Sequence, residues 1–173
     1  IPANERMDGL VEKATELGAA AIQPLICARS VVRLAGERAE ARQRHWAAVA
    51  ASASEQCGRA RVPRIAPPLR FEVWLRDLGE GAGVAAVPGT RWVLSLADAA
   101  RRPTALHDPT RREAPAALTV LSGPEGGLAP EEEAAALRHG FVPVSLGPRT
   151  LRADTAPLAL LAWLGLADLK GHE

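Results

Sequence analysis

The chain has 173 residues, 47% of them hydrophobic and 24% charged, and carries a formal net charge of +1 at pH 7. That length and balance suit one domain, residues 1–173, with a real core, and exclude wholesale disorder. Cys27 and Cys57 have no metal-ligand spacing and form no disulfide framework, and no apolar run is long enough for a bilayer span, so the expectation is a cytoplasmic protein with no metal and no membrane.

In chain order, Met7, Leu10, Val11, Ala14 and Leu17 fall at helical spacing, with Asn4 placed to cap the helix and Gly18 to end it. Ala20 to Cys27 reads as one strand, and its Pro24 points to an edge or a strand end. It delivers Arg29-Ser30-Val31-Val32-Arg33 to a loop. Glu37 to Cys57 is a long helix with Trp46, Val49, Ala50 and Ala53 on one face, stopped by Gly58. A basic terminus follows, with Arg59 and Arg61, and Pro67-Pro68 breaks the chain. Phe71 to Leu78 reads as a short helix, Gly79 to Gly83 as a turn, and Val84–Val87 and Trp92–Leu96 as successive strands. Arg101 to Pro115, charged and proline-bearing, reads as a surface loop.

The last third holds two glycine-bearing loops, Leu121-Ser122-Gly123-Pro124-Glu125-Gly126-Gly127 and Ser145-Leu146-Gly147-Pro148-Arg149-Thr150-Leu151-Arg152. The first follows the β-branched run Ala117–Leu121 and precedes a helix entered at Pro130, where a fixed φ and Glu131, Glu132 and Glu133 suit the N-terminal dipole. The second follows the strand Phe141–Leu146 and precedes an apolar helix from Thr155 to Leu169. Helices alternating with strands predict an α/β fold, a mostly parallel sheet of five or six strands flanked by helices, with both loops forming a cofactor pocket at the strand ends.

Several signatures are absent. There is no G-x-x-x-x-G-K-[ST] phosphate loop, no G-x-G-x-x-G after the first strand, no G-x-S-x-G elbow and no H-E-x-x-H pair. Arg supplies 19 of the 21 basic residues, with Lys only at 13 and 170, a bias that genome composition explains better than a need for bidentate contacts does.

Five blocks together resemble the SPOUT class of methyltransferases, and within it the RsmE-type enzymes that methylate N3 of a uridine in bacterial 16S ribosomal RNA. They are Arg6-Met7 with Lys13 to Gly18, Arg29 to Val32, Glu55 to Arg59 with Val62-Pro63, Gly123 to Gly127, and Ser145 to Arg152 with Thr155-Ala156. Leu128, Asp154 and Pro157 depart from the family's usual Phe, Glu and Ala. Such enzymes carry a PUA-like barrel before the catalytic domain, and the expectation is that this chain starts after it.

The resemblance implies a C-terminal trefoil knot, a homodimer whose pocket is completed by the partner, and S-adenosyl-L-methionine as cofactor. It implies a cofactor set of Leu94, Ser95, Leu96, Leu121, Gly123, Gly126, Gly127, Leu146, Gly147, Arg149 and Leu151, with adenine held by backbone groups of Leu146, Gly147 and Leu151. Methyl transfer asks only for alignment and for removal of the N3 proton. Arg152 is the candidate clamp for the uracil anion, and Glu125 or Asp154 the candidate proton acceptor. Arg29, Arg33, Arg59 and Arg61 follow elements instead of lying within them, which suits contact with phosphates of 16S ribosomal RNA or the assembled small subunit. The competing reading is a non-catalytic RNA-binding module that keeps the knotted fold.

Overall fold

The computed structural model describes residues 1–2, 6–32, 34–79, 89–106 and 117–168. The predicted Asn4 cap, Arg33 and the predicted strand 84–87 lie outside them, as does 107–116 of the predicted loop. Helix α1 (Arg6–Glu16) buries Met7, Val11 and Ala14, the predicted stripe, and ends at Gly18, whose φ of +96° only glycine adopts without strain. Helix α2 (Gly36–Gln56) buries Trp46, Ala50 and Ala53, the first two in a cluster with Met7 and Val11 of α1. Asp8 of α1 fastens the two, accepting from Trp46 Nε1 at 3.0 Å and lying 2.7 Å from His45 Nε2.

The single strand predicted for Ala20–Cys27 is two: β1 (Ala21–Ile22) and β2 (Leu25–Ile26), separated by Gln23-Pro24. Pro24 has no N–H for a ladder, so the pairing breaks there. The partner strands break at the same level. β3 (Arg64–Ile65) pairs with β1 and β4 (Leu69–Arg70) with β2, both parallel, around the Pro67-Pro68 that the sequence suggested merely interrupts the chain. Gln23 Nε2 bridges the gap by donating to Pro67 O at 2.7 Å.

Helix α3 (Phe71–Gly79) leads toward a three-stranded parallel sheet of order β6-β5-β7, built from β5 (Thr90–Leu94), β6 (Leu118–Leu121) and β7 (Val142–Val144). Thus the described residues form seven short strands in three parallel sheets, not one sheet of five or six. Every pairing is parallel, as expected. Helix α4 (Pro130–Arg138) starts at the predicted proline, and α5 (Thr155–Asp168) follows the second loop. A short 3-10 turn, Pro103–Ala105, stands in the stretch predicted as loop.

The core has three parts. Phe71, Trp74, Leu75 and Leu78 of α3 pack with Val93, Leu121, Ala136 and Phe141; α1, α2 and Ile65 form a second cluster; Trp92, Val144 and Leu160 join the sheet to α5. No helix among the described residues is long and apolar enough to cross a membrane.

Candidate active site

Register sets the site. Val93 pairs with Leu121 and Leu94 with Val144, so β5, β6 and β7 end at the same level and release three loops along one edge. In a parallel sheet that carboxyl edge is where ligands bind. β5 stops at Leu94, two residues earlier than predicted, because Ser95 turns the chain. Its Oγ donates to Glu133 Oε1 on α4 and accepts from Ala97 N at 3.0 Å. The chain then returns along the far side of β7: Arg101 N donates to Pro143 O at 3.0 Å, and Ser145 N to Arg101 O at 2.9 Å. Residues 95–100 therefore arch over the end at which β7 leaves the sheet.

The three loops enclose a cleft of about 500 Å³, a size usual for small-ligand sites. Of the residues singled out from sequence, Leu94, Ser95, Leu96, Gly123, Glu125, Gly126, Gly127, Leu146, Gly147, Arg149, Leu151 and Arg152 line it. Leu121 does not. It is 2% exposed and belongs to the core between α3 and α4, because the period of two along β6 turns it away from the cleft. Asp154 also stands off the lining, though its neighbour Ala153 is part of it, and its Oδ1 is buried with no hydrogen-bond partner among the described residues.

The glycines have separate reasons. A Cβ at Gly123 would sit 2.8 Å from Leu128 N, so the first loop closes upon itself only with glycine there. Gly127, with φ of +70°, donates to Pro124 O at 2.8 Å and completes a tight turn. Gly147 has φ of +119° and nothing within 4 Å of its Cβ position, so a side chain there would meet strain before it met a neighbour, and would project into open space.

Charge at the mouth is unequal. Arg6, Arg149 and Arg152 face it with one carboxylate, Glu125, which lies 3.7 Å from Arg6 Nη1. The excess favours an anionic partner.

Two of the arginines predicted to meet RNA, Arg59 and Arg29, are bonded to main-chain carbonyls of the fold. Arg59 Nη1 donates to Thr15 O at 2.6 Å and Ala19 O at 2.9 Å, closing the C-terminal end of α1. Arg29 Nη1 donates to Gly126 O at 2.9 Å and, at 3.4 Å, to Leu128 O. Neither lines the cleft; Arg61 is exposed and does not line it either. Sequence reasoning named Arg6 only within the resemblance, and Glu132 and Glu133 only as first-turn acids of the helix, and gave none of them a place in the site. Glu132 is 6% exposed, with Oε1 accepting from Ala28 N at 2.7 Å and Oε2 from Ala129 N at 2.9 Å. As the third residue of the helix it reaches back to the N-cap N–H, the half of a capping box that a carboxylate supplies, while Ala129 at the N-cap has no side-chain acceptor for the other half. Among the described residues no group of three or more His, Cys, Asp or Glu could hold a metal ion.

Comparison with known proteins places the chain. The family described as RNA methyltransferase domain matches residues 1–165. The protein called ribosomal RNA small subunit methyltransferase E is 32% identical in Synechocystis sp., over 94% of this chain and 50% of that protein. In Mycobacterium bovis its counterpart is 35% identical over 96% of this chain and 60% of the relative. The chain thus spans half to three fifths of the length of these curated relatives. Among solved structures, the methyltransferase E of Neisseria gonorrhoeae bound to S-adenosyl methionine superposes with a TM-score of 0.79 at 34% identity, over 96% of this chain and 62% of that one. A putative methyltransferase of Legionella pneumophila in complex with bound S-adenosylmethionine gives 0.81 at 30% identity, over 96% and 63%.

Proposed function

We propose, since this chain belongs to the RNA methyltransferase domain family, that it transfers a methyl group from S-adenosyl-L-methionine to N3 of a uridine in 16S ribosomal RNA. The observation that carries the reading is the levelling of β5, β6 and β7 around a cleft of about 500 Å³ whose floor includes Gly147, open on its Cβ side.

The residues present fit the cofactor. Leu94, Leu96 and Leu146 supply apolar walls for an adenine, and the glycine loops expose backbone groups in place of side chains. Bound there, S-adenosylmethionine supplies a methyl group already activated on a sulfonium. The chain's own task is to place the acceptor and manage one proton. Arg152, exposed on the cleft, stabilises negative charge on the uracil as N3 loses its proton. The proton goes to a carboxylate, either Glu125 at the rim or Asp154, whose Oδ1 has no donor among the described residues. Arg149 and Arg6 attract the RNA backbone to the same opening.

Residues 1–173 act in this reading as one SPOUT domain, in the cytoplasm, as a homodimer on the assembled small subunit. The arch of 95–100 over β7 is the arrangement a trefoil knot needs for the chain beyond Ser145 to pass beneath it. Calorimetry with S-adenosylmethionine and its demethylated product tests the reading, followed by methyl transfer to small subunits lacking the modification. Binding in the range of about 1 μM to 1 mM is expected, and no heat at saturating ligand would remove the proposal. Binding of cofactor and RNA without turnover would favour a non-catalytic module.

A further inference from the structure

Arg29 and Glu132 stand on opposite sides of the joint between the turn after β2 and the first glycine loop. The turn is itself closed: Ser30 N donates to Cys27 O at 3.0 Å, and Cys27 N to Ser30 Oγ at 2.9 Å. From it Ala28 N reaches Glu132 Oε1 at 2.7 Å, while Arg29 Nη1 reaches Gly126 O at 2.9 Å and Leu128 O at 3.4 Å. The second Glu132 oxygen accepts from Ala129 N at 2.9 Å. Peptide planarity makes these bonds do more than tie segments together. Fixing the Gly126 carbonyl also fixes the Gly127 N–H, which donates to Pro124 O, and fixing the Leu128 carbonyl fixes the Ala129 N–H, which donates to Glu132. The 126–127 and 128–129 peptide planes are thereby each held from both edges.

Gly126 fits the same picture. A Cβ there would lie 3.3 Å from Arg29 Cβ, tight enough that the arginine stem packed behind the loop would have to give by a few tenths of an ångström. Ordinary RNA contact would leave the guanidinium free to swing. Here it is directed at main-chain carbonyls.

We propose that Arg29, braced through Glu132, is a positioning residue for the cofactor loop and not an RNA contact. The proposal rests on the reading that the cleft binds S-adenosylmethionine. Arg29→Ala is expected to raise KM for S-adenosylmethionine on the order of ten- to hundredfold, the effect of losing a charge-assisted hydrogen bond. At saturating cofactor kcat should stay near that of the unsubstituted protein. Arg29→Lys, which keeps one donor, should recover part of the KM. The salt dependence of RNA affinity should be unchanged in both. An unchanged KM together with a salt slope reduced by about one would mark a phosphate contact and overturn the proposal. Should Arg29→Ala fail to fold, Gly126→Ala presses on the same contact from the other side, and an unaltered KM there would also overturn it. Amide exchange at residues 126–129 reads the brace without cofactor: faster exchange in Arg29→Lys supports it, and equal exchange overturns it. If the unsubstituted protein bound no S-adenosylmethionine, the reading of the cleft would fall, while the exchange result would still decide on the brace.

Discussion

Arg59 and Thr15, separated by 44 positions, are joined by a guanidinium-to-carbonyl bond of 2.6 Å that finishes α1. The same side chain donates to Ala19 O at 2.9 Å, and Arg59 is half-buried in doing so. Helix ends leave carbonyls without intrahelical partners, and a cation is the partner best matched to them.

Arg59→Ala should therefore be a stability variant. A loss of about 1.5 to 3 kcal/mol is expected, as for a hydrogen bond to a charged group, seen as a lower Tm. Arg61→Ala, at an exposed position two residues on, should leave Tm unchanged and reduce the salt slope of RNA binding by about one. The reverse pattern would return Arg59 to the RNA surface.

Gly147→Ala and Gly140→Ala make a matched pair. Both positions have positive φ, +119° and +82°, and both have open space at Cβ. Each substitution is expected to cost about 1 to 3 kcal/mol through backbone strain. Only Gly147→Ala should also lose S-adenosylmethionine binding in calorimetry, because only Gly147 lines the cleft.

Arg152→Ala should separate chemistry from binding. An electrostatic donor to charge that develops only in the transition state is worth roughly a hundred- to thousandfold in kcat. Cofactor affinity should change far less. Comparing Glu125→Gln with Asp154→Asn under the same assay identifies the proton acceptor as the one whose loss lowers kcat at unchanged cofactor affinity. Equal losses of binding and turnover in Arg152→Ala would make it a pocket residue.

The cysteines should differ in reactivity. Cys27 is 6% exposed, and burial pushes its thiol up to about 11 from 9.0, with the nearby Glu132 carboxylate adding to the shift. The neutral thiol is thus favoured by the fold. Its contribution to stability is present below pH 9.0 and is lost as the pH rises toward 11. At pH 8 an aromatic disulfide reagent should titrate the exposed Cys57 at once and Cys27 only on unfolding.

Leu166→Arg addresses assembly. Leu166 on α5 is 66% exposed, so a charge there need not disturb the folded chain. On the proposed homodimer, sedimentation should show a shift from dimer to monomer, with weaker cofactor binding alongside. A dimer that persists would move the interface elsewhere.

Local pattern was enough for several features of this protein. The apolar spacing of Met7, Val11 and Ala14 gave α1, the proline and acidic run at 130–133 gave α4, and the two glycine loops marked the cleft, because each depends on neighbours within a few residues. What lay beyond local pattern was decided by contacts between distant segments. Pro24 and Pro67-Pro68 divide two strands at one level only because those strands pair. Leu121 enters the core because β6 takes its register from β5, and the exposed Arg29 and half-buried Arg59 are aimed at carbonyls 97 and 44 positions away that stand within reach. An arginine's sequence neighbourhood fixes its charge, but which acceptor it meets is set by the packing that brings one to it.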